Sequence, residues 1–158
     1  MLSIHADGEN RHRLEDSFGT EIGWIHGRAI GFAGMRTLRD AVHAAATGSR
    51  AFQAALRRQY PGWPQHEPTF DELRVVNDGA YDWISDGKVP LARLLRLKGE
   101  DARHGPFGLE FVLPSFASEG VAVVVAQSLG CALQAHLHPA PPTTFVDEAE
   151  ARPTSLSA

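Results

Sequence analysis

The sequence predicts an α+β domain: an antiparallel sheet of about five to six strands with two helices on one face, in the order β-β-α-β-β-β-β-α. Three observations carry this. The phrase Trp24-Ile25-His26-Gly27-Arg28-Ala29-Ile30 reads as strand, tight turn, strand, and it has a counterpart in Trp83-Ile84-Ser85-Asp86-Gly87-Lys88-Val89. Each phrase is followed, at different distances, by one long Ala-rich apolar segment, 38–59 and 117–137. Two apolar helical stripes and a sheet bury their surfaces most economically when both helices lie on one sheet face.

Residues 1–20 are polar and lack sustained periodicity, so a short strand at 2–4 ending near Asp7-Gly8 is followed by loop to Asp16. The first hairpin spans 21–32. With His26-Gly27 as its two-residue turn, Trp24 faces Ala29, Ile22 faces Gly31 and Gly23 faces Ile30, and Gly27 supplies the positive φ such turns require. Thr37-Leu38-Arg39-Asp40 then has the spacing of a capping box. Leu38, Val42, Ala45, Phe52, Ala55 and Leu56 follow at helical spacing, and Tyr60-Pro61-Gly62-Trp63-Pro64 ends the helix. Gly48 weakens its middle by about 1 kcal/mol relative to Ala.

Strands are expected at 73–76, 81–84, 89–97 and 107–113, separated by Asn77-Asp78-Gly79, Asp86-Gly87 and a polar loop at 98–106. A two-residue Asp86-Gly87 turn would set Pro90 opposite Trp83 at a hydrogen-bonded rung, where proline has no N–H to give, so a bulge, a longer turn or an edge position must intervene. Leu91, Leu94, Leu95 and Lys98 also fit helical spacing, which leaves 89–97 ambiguous. Ser115 or Ser118 caps the last helix, whose stripe is Val121, Val124, Val125, Ser128, Leu129, Ala132 and Leu133. The domain is expected to occupy 1–138, with 139–158 a disordered Pro/Ser/Thr/Ala-rich tail.

The chain has 158 residues, 43% hydrophobic and 22% charged, the balance of one soluble globular domain. Its single cysteine, Cys131, excludes an internal disulfide and reads as a buried, inert thiol in a cytoplasmic protein. Met1-Leu2-Ser3-Ile4 runs at once into His5, Asp7 and Glu9, unlike a secretion signal. The most apolar stretch, 120–137, contains Gln127, Ser128, Gln134 and His136, which argues for a buried helix over a membrane span. Net charge is −4, yet the stretch from Arg36 to Arg58 carries five arginines and one acid.

Motifs for chemistry are absent. There is no Gly-x-Ser-x-Gly, Walker loop, Gly-x-Gly-x-x-Gly or His-Glu-x-x-His. His136-x-His138 lacks a third metal ligand nearby in sequence, so no metal or other cofactor is expected. The adjacent acids Glu15-Asp16, Asp71-Glu72 and Glu100-Asp101 read as solvated loop residues. The helix–strands–helix order resembles double-stranded-RNA-binding domains in topology alone, because the start of the last helix, residues 115–120, is acidic and lacks the lysines that hold phosphates there.

What remains is a small binding or regulatory module with no identifiable reaction, self-associating or docking a protein partner through sheet surface that two helices leave bare. The runner-up is a nucleic-acid or anionic-ligand binder on the basic first helix, or an enzyme with a site built from scattered residues. Candidate binding residues are His26 and Arg28 at the first hairpin tip, and Arg36 and Arg39 at the start of the helix.

Overall fold

Turns cut the first 35 residues into four strands. The computed structural model describes residues 2–137. Within them the chain runs β1 (Ser3–Ala6), β2 (Arg11–Glu15), β3 (Glu21–His26), β4 (Ala29–Met35), α1 (Leu38–Gln59), β5 (Arg74–Asn77), β6 (Asp82–Ser85), β7 (Pro90–Arg96), β8 (Phe107–Val112) and α2 (Glu119–Leu133). The eight strands form one antiparallel sheet in the order β1-β2-β3-β4-β8-β7-β6-β5. The fold class is the expected α+β sheet with two helices, but the sheet is wider than five to six strands. The tail expected at 139–158 lies outside the described residues.

The two additional strands are β1, which lies at the short strand expected near 2–4 but outside the expected element order, and β2, within the polar stretch expected as loop. The alternation of β2 is real but hidden. Arg11, Arg13 and Glu15 point one way, and His12 and Leu14 the other, yet only Leu14 is apolar, and it is fully buried.

The first hairpin closes one residue later than expected. Gly27-Arg28 is the turn, Gly27 has φ +62°, and the pairs are His26↔Ala29, Ile25↔Ile30, Trp24↔Gly31 and Gly23↔Phe32. The reason lies at Gly31. A Cβ there would stand 2.1 Å from Cε2 of Trp24, so the indole lies over the glycine and any side chain at 31 would displace it. In the second hairpin the Pro90 conflict is resolved by a bulge and a longer turn: Trp83 pairs with Arg93, and Pro90 sits opposite Ser85.

The helices begin at the expected caps. The Thr37 hydroxyl accepts from the Asp40 N–H at 3.0 Å, and the Ser118 hydroxyl accepts from the Val121 N–H at 3.2 Å. Alanine makes up most of the buried face of α1 (Ala41, Ala44, Ala45, Ala46, Ala55), while Leu38 is exposed. Small residues let α1 approach both the sheet and α2. Gly48 is the extreme case, since a Cβ there would meet Cζ of Phe111 at 2.5 Å. On α2 the buried face is Ala122, Val125, Ala126, Leu129, Gly130 and Leu133, leaving Val124 and Cys131 exposed. The expected buried thiol is therefore a surface thiol, because it falls on the far side of the helix from Leu129 and Leu133.

The chain is two ββββα units joined edge to edge at β4 and β8, with β1 and β5 at the outer edges. The two Trp-Ile phrases do not mark this repeat. One spans β3–β4 and the other β6–β7, and the unit-equivalent of β6–β7 is β2–β3. The equivalent positions instead carry aspartates. Asp16 and Asp86 each follow the second strand of a unit, and both are buried. Each helix also crosses the seam: α1 packs chiefly on β7 and β8, α2 on β3 and β4.

Candidate interaction face

The inner sheet face is settled by ring contacts. Phe111 on β8 packs against Phe52 of α1, centroids 5.6 Å apart, and Ile30, Phe32 and Leu109 share its fully buried layer. Alternation then turns Gly31, Glu110 and Arg93 to the opposite face, which neither helix covers. On that face the register sets one residue per strand in a row: His5, Arg13, Trp24, Gly31, Glu110, Arg93, Trp83, Val76.

The centre of the row is ordered. Arg93 Nη2 bonds Glu110 Oε1 at 2.8 Å, both side chains 18% exposed. The guanidinium also lies over the rings of Tyr81 and Trp83, at 4.6 and 5.7 Å from their centroids. Its Nε is buried with no hydrogen-bond partner. Trp83 is fixed in turn, its indole N–H donating to Asp78 Oδ2 at 2.8 Å. The main-chain N–H groups of Tyr81 and Ala80, together with this indole, hold the Asp78 carboxyl below the usual aspartate range. Along β3, from Glu21 to His26, the face opens into a cleft of about 710 Å³. Ile22, Ala33, Leu95, Trp24 and Tyr81 line it, with His104 on the wall contributed by the β7–β8 connection.

Comparison with protein-family models, with curated proteins and with solved structures finds no match in any of the three.

The residues singled out at the first hairpin and helix fall into two separate pairs. His26 ends β3 and lines the cleft. Arg28, in the turn, lines a smaller cavity of about 230 Å³ with His12 and Glu119. Arg36 and Arg39 are exposed beyond the other end of β4, roughly 20 Å away at about 3.3 Å per strand residue. Of the remaining arginines on α1, Arg50 pairs with Glu67 and stacks on Phe70, Arg57 donates to Gln65, and Arg58 to Ser128.

No local motif marks Arg93, Glu110, Tyr81 or Arg13. The only available signal is polar residues alternating with apolar ones in 90–96 and 107–112, and which strands adjoin is invisible without the β4–β8 pairing.

A second polar cluster is buried under the α1–β5 connection. Asp86, fully buried, accepts from the main-chain N–H groups of Thr69, Lys88 and Val89 at 3.0–3.1 Å and from the His66 ring. Burial alone would raise this carboxyl, but the His66 ring and the three N–H groups overcome it and drive it far below the aspartate range. The His66 main chain is itself bonded to Gln53. With Thr69 bonded to the same carboxylate, the His66–Asp86 pair fastens the connection to the sheet. Asp16 behaves likewise, accepting from Phe18 and Thr20 N–H at 2.9 and 3.0 Å, which corrects its reading as a solvated loop acid. Among the described residues no group of three His, Cys, Asp or Glu side chains could hold a metal, and no helix is long and apolar enough to cross a membrane.

Proposed function

We propose that this chain is a small protein-binding module that docks, and self-associates, through its uncovered sheet face. The observation that carries the reading is the row Arg13–Trp24–Gly31–Glu110–Arg93–Trp83. Tryptophan, tyrosine and arginine are the residues enriched at interface centres and among the side chains that dominate binding energy. Here they are already ordered by stacking and ion pairing, so little side-chain entropy is lost when a partner covers them. The anionic-ligand reading draws on the arginines of α1, of which Arg50, Arg57 and Arg58 are engaged within the chain.

Light scattering and polyanion chromatography separate the two. The module should elute above monomer mass, with Trp24→Ala reducing that mass, and should not be retained on heparin in a salt-sensitive way. Monomer mass together with retention that Arg36→Ala plus Arg39→Ala abolishes would reverse the conclusion.

A further inference from the structure

The uncovered row has a property that only its seam reveals: positions equally distant from the β4–β8 boundary carry complementary residues. One strand out stand Trp24 on β3 and Arg93 on β7; two strands out, Arg13 on β2 and Trp83 on β6. At the seam itself, Gly31 faces Glu110, and in the next row Ala29 faces Val112. Resting on the reading of this face as a docking surface, we propose that its partner is a second copy of the chain, related by a two-fold axis along the seam and parallel to the strands.

That rotation exchanges the two sides of the seam. Trp24 then lies against the partner's Arg93, and Arg13 against the partner's Trp83, giving four cation–π contacts in the pair of copies. The indole of Trp24, flat over Gly31, presents its ring face to the Arg93–Glu110 pair of the other copy, and Ala29 meets the partner's Val112. An axis perpendicular to the strands would instead oppose Arg93 to itself and Glu110 to itself. Strands from the two copies run nearly aligned, the usual geometry of stacked sheets. Size is comparable. Eight strands about 4.8 Å apart, of four to seven residues and so about 13–23 Å long, make a face of roughly 600–700 Å², somewhat below the ~800 Å² per partner of a standard stable interface.

The test is sedimentation velocity on wild type, Trp24→Lys, Arg93→Glu and an equimolar mixture of the two variants. Wild type should be a dimer, and each variant alone should weaken association by about 30-fold or more, as expected for central Trp and Arg residues. The mixture should recover the dimer, because the introduced lysine of one copy then meets the introduced glutamate of the other while the second Trp–Arg contact remains intact. A monomeric wild type overturns the second copy as partner. Variants as dimeric as wild type overturn the docking face itself. Variants that dissociate but are not rescued by mixing overturn the two-fold register alone. Circular dichroism reports whether Arg93→Glu folds; if it does not, spin labels at the exposed edge position Val76→Cys in a Cys131→Ser background decide. Three and a half strand spacings on either side of the axis and about 10 Å between sheets place those labels about 35 Å apart, and a separation below about 20 Å, as an axis along the row would give, overturns the axis.

Discussion

Replacing Asp86 tests the buried cluster most directly. Its carboxylate is fully buried and takes four hydrogen bonds, from Thr69, Lys88, Val89 and His66. Asp86→Ala leaves three main-chain N–H groups and an imidazole without their acceptor, under a connection that Gln53 also holds only through the His66 main chain. Hydrogen bonds to a charged acceptor contribute about 1.5–3 kcal/mol each and are not additive, so about 3–5 kcal/mol is expected for the cluster. At about 3 °C per kcal/mol in a domain of this size, the melting temperature should fall by roughly 9–15 °C. The effect must also depend on pH. The folded carboxyl lies below its unfolded value near 3.9, so the folded state binds fewer protons. Its contribution is full above about pH 4 and is lost as pH falls below that. Thermal melts of wild type and Asp86→Asn should therefore converge as pH drops from neutral toward about 2. A melting temperature within about 2 °C of wild type at neutral pH, or a gap that stays constant down to low pH, would refute the buried-acceptor account.

Two further outcomes are specific to the helix surfaces. Gly48→Ala should destabilise by about 1–3 kcal/mol in urea unfolding despite alanine's higher helix propensity, because the new methyl enters the space of the Phe111 ring; a stabilised variant would show that α1 can lift from the sheet at no cost. Cys131 should react with Ellman's reagent in the native state at a rate near that of a free thiol, whereas protection until unfolding would place the residue back in the core.

Local chemistry is legible in the sequence where one residue decides the outcome. Thr37 is a cap because a hydroxyl satisfies an orphan N–H at a fixed offset, and that offset identifies it, whereas Ser115 and Ser118 are both placed to cap the last helix and only the fold selects Ser118. Pro90 conflicts with a simple turn on its face, since the lack of an N–H is a property of the residue itself. What escapes are properties of pairs. The hairpin register depends on Trp24 finding the one neighbour without a side chain, and β2 is a strand because β3 lies beside it. Helix faces slip by a residue for the same reason. On α2 the buried face runs through Ala122 and Ala126 in place of Val121 and Val124, whereas Leu38 shares one side of α1 with buried Leu56, five turns on, and is exposed because it is the first residue of the helix. The Arg93–Glu110 pair joins residues brought together only by strands β7 and β8 adjoining across a polar connection.

The crossing of the helices over the seam sets how the chain can come apart. Each ββββ meander is contiguous in sequence, but the helix that shields it belongs largely to the other unit. Neither half can close its own core, so a cut within 60–73 should leave two fragments that regain structure only when mixed. The intact protein should lose both meanders in a single transition, with amide protection in β3 and β7 disappearing together.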